Sequence, residues 1–99
     1  MNHILEITKE AKLDIEEAWL WYEEIRTGLG EDFLLSLEAA LNQLKRQPLL
    51  YEIKHKEVRV CLLKRFPYKV IYFLDNDKVI VLAVFHSHRN PETWKERVK

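Results

Sequence analysis

The spacing of apolar and polar positions changes once along the chain, near its middle. At the start, "HILEIT" sets Leu5 and Ile7 against Ile4 and Glu6, the two-residue alternation of a short strand. Thr8 then suits a helix N-cap, with Glu10 in the first turn where the helix dipole favours an anion. Ala11, Ile15, Ala18, Tyr22, Ile25 and Leu29 recur at three- and four-residue steps and predict one apolar stripe on a helix of about four turns. Trp19 flanks that stripe and Trp21 lies outside it, free to be exposed or to cover a neighbour. The "TGLGEDF" segment interrupts the pattern. Gly28 suits the left-handed C′ position that ends a helix, and Glu31 and Asp32 open a second helix. Phe33, Leu34, Leu37, Leu41 and Leu44 form its stripe, which Pro48 ends by pushing the preceding residue out of helical geometry. A connection this short predicts an antiparallel helical hairpin.

Past Pro48 the period falls to two. "EVRVCLL" is apolar at Val58, Val60 and Leu62, with Arg59 and Cys61 on the opposite face. "YKVIYFL" and "KVIVLAVF" are rich in β-branched and aromatic residues, and Asn76-Asp77 between them tolerates the positive φ of a tight turn. Pro67 stands at the start of its strand, where a missing donor is tolerated. Residues 79–85 are apolar throughout, as in a central strand covered on both faces. After Pro91, "ETWKERVK" predicts a short helix. The expected fold is α+β: an N-terminal strand, an antiparallel helical hairpin packed on a mostly antiparallel four-stranded sheet, and a short C-terminal helix, in one domain over residues 1–99.

Charge adds an asymmetry that the net value of zero conceals. Residues 1–49 hold 5 Lys+Arg against 10 Asp+Glu, a net of −5, whereas residues 50–99 hold 11 against 6, a net of +5. The free face of the sheet is therefore expected to be positive and open to an anionic partner; the same numbers also suit two solvated faces that attract each other. Cys61 is alone, which excludes an internal disulfide and points to a reducing compartment. "MNHILEITKE" has no long apolar run and no window reaches the roughly 18 apolar residues of a membrane span, so a cytoplasmic protein with no membrane association is expected.

The segment "FHSHRNPETW" holds the most evident candidate chemistry. His86 and His88, two apart on a strand, would face the same side and could share a metal ion. A zinc site needs a third ligand. Cys61, His55 and His3 lie at no diagnostic spacing from the pair, so no metal and no cofactor is expected.

"AKLDIEEAWLWYE", "GLGEDF", "RVCLLKRFPYKVIYF" and "VIVLAVFHSHRNPETWKER" together resemble the RelE/ParE family of toxins from type II toxin–antitoxin modules, almost end to end. The fold implied by the resemblance is the α+β fold expected above. The resemblance implies a cognate antitoxin that wraps the toxin and, in complex with it, binds operator DNA. It implies one of two activities. RelE-like members cut messenger RNA on the ribosome; ParE-like members, also known from plasmid stabilisation, bind DNA gyrase.

Metal-free RNA cleavage needs a base, an acid and cations around the phosphate. Histidine suits the first two roles and Arg or Lys the third. His86, His88, Arg89, Arg65, Lys69 and Arg59 supply that inventory, with Lys69, His86 and Arg89 as the catalytic candidates under the RNA-cleaving alternative. Arg89 matches an arginine of the RelE-like pattern and His86 lies close to a histidine that some relatives use. Lys69 departs from the pattern's arginine, whose planar fork lysine cannot imitate. A tyrosine common near the C-terminus is replaced by Trp94 or Lys95. "RFPY", "WYE" and "GLG" are closer to the ParE-like branch, in which Arg65 and Arg89 would instead bind carboxylates such as Asp14 or Glu17. Trp21, Arg59, Arg65 and His88 are the expected contacts for a target or antitoxin, Trp21 because aromatics are enriched in interface cores. Trp19 is expected in the core and Trp94 as the anchor of the last helix.

Overall fold

The computed structural model describes residues 3–98. The elements follow the order β1 (Ile4–Ile7), α1 (Lys9–Ile25), α2 (Leu29–Arg46), a 3-10 turn (Pro48–Leu50), β2 (Ile53–His55), β3 (Val58–Leu62), β4 (Tyr68–Asp75), β5 (Lys78–His86) and α3 (Glu92–Lys95). They build one five-stranded sheet in the order β1-β5-β4-β3-β2, antiparallel except for the β1–β5 pair. The helical hairpin packs on one face.

The expected four strands become five. β2 has only three residues, two of them exposed, so it carries no alternation to read. It exists because Ile53 and His55 pair with Arg59 and Val58 across a turn in which Lys56 takes φ 52°.

Local signals account for the helix ends. Thr8 caps α1, its hydroxyl oxygen accepting the Ala11 N–H at 3.1 Å. Gly28 has φ 93°, as its left-handed reading requires, but it caps the start of α2; α1 has already ended at the extended Arg26. Ile25 consequently falls on the last turn and is exposed, a departure from the expected stripe. The Glu23 carboxylate holds the turn by accepting the N–H groups of Gly28 and Gly30 at 3.0–3.1 Å.

Two apolar clusters sandwich the sheet. The larger lies under the hairpin and takes Ala11, Ala18, Phe33, Leu37, Leu44, Cys61, Val70, Tyr72, Val81 and Val84. Tyr22, Phe33, Phe66 and Tyr68 meet there with ring centroids 4.9–5.9 Å apart, mostly edge to face. Such pairs contribute about 0.5–1.5 kcal/mol each beyond area burial. They place Phe66 and Tyr68 of "RFPY" against the core, where they fasten the β3–β4 loop to the hairpin, while Arg65 and Pro67 stay exposed. The smaller cluster, on the opposite face, holds Val58, Ile71, Leu82, Ala83, Phe85 and Trp94. That face is therefore not merely a charged surface. It takes Val58 and Val60, while Cys61 turns into the main core.

β5 is buried from Val81 to Phe85, as expected of a central strand. The Asn76-Asp77 turn before it has φ 58° at Asn76. Its register with β4 slips: Ile71 pairs with Ala83 and Tyr72 with Val81, leaving Leu82 as an extra residue in a β-bulge. An extra residue inverts which side the following residues face. Among the described residues no helix is long and apolar enough to cross a membrane.

Candidate functional site

The bulge decides the geometry of the candidate site. Beyond it, Val84 faces the hairpin cluster and Phe85 the opposite one, so His86 returns to the hairpin side. His86 pairs with Tyr68 and Lys69 with Phe85. The His86 ring meets Tyr68 edge-on at 5.3 Å, beside Trp21 of α1. Lys69 projects on the other side, where it lines a cleft with Val60, Leu62 and Trp94. The two catalytic candidates thus occupy opposite faces of the sheet.

His86 is held by a turn at the strand end. Its Nδ1 accepts the His88 N–H at 3.1 Å, while Ser87 N–H donates to the Pro67 carbonyl at 2.7 Å and Arg89 N–H to the His86 carbonyl at 3.0 Å. The His86 and His88 rings lie 5.4 Å apart at 70°. An Nδ1 that accepts a backbone N–H has its lone pair engaged and offers a metal only Nε2. The three residues considered as a further ligand sit elsewhere: His55 packs on Trp94, His3 lies 3.2 Å from the Lys45 carbonyl, and Cys61 is buried. Among the described residues no three His, Cys, Asp or Glu side chains gather as a metal site would require.

Arg89 is exposed, with its guanidinium carbon 3.7 Å from the centre of the Phe85 ring. Asp14, expected as a partner for Arg65 or Arg89, is instead taken by Arg97, whose guanidinium lies 4.9 Å from the same ring. Arg97 also donates to the Leu82 carbonyl at 2.9 Å, and Asp14 accepts the Val84 N–H at 3.1 Å. β1 pairs with β5 only as far as Val81, so Asp14 and Arg97 satisfy the sheet edge that β1 leaves open. The sequence carried a signal for this pair: Asp14 stands between Ala11 and Ala18 on the buried face of α1, where a carboxylate requires a partner.

The remaining candidates separate as well. Arg59 donates to the carbonyls of Leu49 and Tyr51, which ties β3 to the segment after α2. Arg65 is exposed beside Phe66, 5.8 Å from its ring centre. Trp21 is 63 % exposed and lines a hollow with Glu17, Tyr68, His86 and Arg89. Burial pushes the Tyr68 phenol up, with Tyr22 and Glu17 adding to the effect. Burial likewise pushes Tyr51 up to about 12 and raises the Cys61 thiol, the latter opposed by a hydrogen bond from Tyr51. The arrangement offers two distinct surfaces: an aromatic and charged hollow at the α1–β5 edge, and a lysine-bearing cleft against α3.

The model of the ParE toxin of the type II toxin–antitoxin system parDE matches residues 5–91. A chain of the chromosomal ParDE toxin–antitoxin system from P. aeruginosa superposes with a TM-score of 0.65 at 17 % identity, covering 85 % of this chain and 95 % of that one. A chain of the RelBE2 toxin–antitoxin complex from Mycobacterium tuberculosis gives 0.62 at 18 %, covering 87 % and 99 %. Likeness at this identity shows a common fold. Among curated proteins, none matches the chain.

Proposed function

Because the chain belongs to the family of ParE toxins of type II toxin–antitoxin systems, we propose that it stops growth in the cytoplasm by binding a protein target, DNA gyrase, and is neutralised by a cognate antitoxin. The observation that carries this reading over RNA cleavage is the separation of Lys69 from His86 across the sheet. General acid–base cleavage needs its groups within hydrogen-bond reach of one phosphodiester, and a β-sheet stands between these two. Arg89 lies at the sheet edge between the two, lining the hollow with His86 while its guanidinium rests on Phe85. The hollow formed by Trp21, Tyr68, His86 and Arg89 has the aromatic-plus-arginine composition of binding hot spots. The two superposed chains come from a ParDE toxin–antitoxin system and a RelBE2 toxin–antitoxin complex, which supports an antitoxin partner here. Binding of operator DNA falls to the antitoxin part of that complex.

Purified protein is added to a gyrase supercoiling assay and, separately, to ribosomes carrying a defined message. Inhibited supercoiling with intact message is the expected result. Message cut at the ribosomal site, with cleavage lost in an Arg89→Ala/His86→Ala double variant, would instead establish the RelE-like activity. Activity in neither assay removes both targets.

A further inference from the structure

The helical hairpin buries one apolar stripe on the sheet, through Ala11 and Ala18 of α1 and Phe33, Leu37 and Leu44 of α2. α1 carries a second apolar line on its outer side. Leu20 is 51 % exposed, and Leu13, at 54 %, stands seven residues earlier on the same line of the helix. Beside that line Ile15, Trp19, Leu20 and Leu34 form a groove of about 480 Å³ between the two helices, with Glu16 and Glu31 completing its lining. A surface helix needs one apolar stripe to hold it on its domain; a second, left exposed, marks a docking face.

The charge around the groove is almost all of one sign. Residues 13–38 hold eight Asp+Glu and a single base, Arg26. The other bases of the hairpin, Lys9, Lys12, Lys45 and Arg46, stand at the start of α1 and the end of α2, away from the turn that joins them. Asp14 is taken by Arg97 and Glu23 by the Gly28 and Gly30 N–H groups. Glu16 and Glu31 are exposed and make no ion pair among the described residues. This field disfavours a second copy packed hairpin to hairpin, and it repels nucleic acid and anionic lipid. It attracts a basic protein segment.

We propose that the groove receives an amphipathic helix of the growth target, with apolar residues at i, i+3 or i+4, and i+7 against Leu13 and Leu20 and with lysine or arginine opposite Glu16 and Glu31. The incoming helix lies in the groove between α1 and α2 and adds a third helix to the layer over the sheet. α1 then offers the target two contacts, this groove on its outer side and the Trp21 hollow at the β5 edge. The inference rests on the reading of the chain as an inhibitor that binds a protein target, and it names the chemistry of what that target presents.

The test follows the indole N–H signals of Trp19 and Trp94 by ¹⁵N–¹H correlation on the full chain, each assigned by its loss in the Trp→Phe variant. Trp19 reports on the groove and Trp94, on the opposite side of the sheet, is the control. The probe is a capped helical peptide with leucine along one stripe and lysine on its flanks. Its comparators are a peptide of the same composition with the leucines scattered around the helix, and one with glutamate in place of lysine. The striped basic peptide is expected to shift Trp19 and leave Trp94 in place, and neither comparator to shift either. Leu20→Ser is expected to weaken the peptide about tenfold and Glu16→Gln about threefold. Both positions are exposed, and circular dichroism checks that each variant keeps its fold. A Trp19 signal that ignores the striped peptide overturns the proposal, as does an equal response to either comparator. A Trp19 response to anionic vesicles, or self-association in sedimentation that Leu20→Ser abolishes, gives the groove to lipid or to a second copy and overturns it too. In the supercoiling assay, Leu20→Ser is expected to raise the concentration for half inhibition about tenfold. Unchanged inhibition removes the groove from the contact with gyrase while the target reading stands; no inhibition by the parent chain, with the Trp19 response intact, removes gyrase while the groove stands.

Discussion

Arg97 and Asp14 form a two-point ion pair, Nη1 to Oδ2 at 2.7 Å and Nη2 to Oδ1 at 3.2 Å, joining the C-terminal segment to the first helix. Asp14 also holds the Val84 N–H, so truncating it leaves a largely buried guanidinium with only the Leu82 carbonyl as acceptor and a strand N–H with none. Asp14→Ala is expected to cost about 3 kcal/mol in urea unfolding. Arg97→Ala added to it should cost less than the sum of the two single changes, because the pair is a unit. Additive losses would show that Arg97 acts through its packing on Phe85 and not through the ion pair.

The tight entry into α2 gives a second expectation. A Cβ built on Gly30 lies 2.8 Å from Trp19 Nε1 and 2.9 Å from Glu23 Oε1. Gly30→Ala should therefore displace both side chains and destabilise the fold by about 1–3 kcal/mol. Gly28→Ala meets no neighbouring atom but must adopt φ 93°, which costs about 1–2 kcal/mol. Combining Gly30→Ala with Glu23→Ala separates the causes. If crowding at Glu23 matters, the Gly30 penalty shrinks in that background.

The helices were legible because each carries one apolar stripe with a cap or a breaker at its ends, and β3, β4 and β5 because they are long and apolar. β2 was not, since "IKH" is too short and too exposed to alternate. The site failed for a subtler reason. Residues 79–85 are apolar at every position, so nothing in them reveals the extra residue at Leu82. Counting an unbroken strand from Val79 puts His86 on the side of Lys69, whereas the bulge returns it to the side of Tyr68. A cluster of cations that looked continuous along the sequence is thereby divided by the sheet.

That division makes a prediction about chemistry. Lys69→Arg restores the side chain of the RelE-like pattern on its own face, and Arg suits phosphate better than Lys. It still leaves His86 on the far side of β4 and β5, held by the His88 N–H. The variant is expected to leave ribosome-bound message intact. Cleavage by Lys69→Arg would mean that a group on the Lys69 face supplies the acid or base, and that the separation from His86 is not what prevents the reaction.

Phenol burial sets the response to alkali. Burial holds Tyr51 at about 12 against an ordinary value of 10, and it also raises Tyr72, whose hydroxyl donates to the Pro48 carbonyl. The unfolded chain loses the Tyr51 proton near pH 10 while the folded chain keeps it, so the unfolded state binds fewer protons above that pH. Stability is then complete below pH 10 and falls as pH rises from about 10 to about 12. Tyr51→Phe keeps the ring beside Tyr72 and has no proton to lose. In chemical denaturation from pH 9 to 12, the variant should lose less stability than the parent across that window, by an amount that grows with pH. Parallel curves would place the alkaline loss on the other phenols and remove Tyr51 as a contributor.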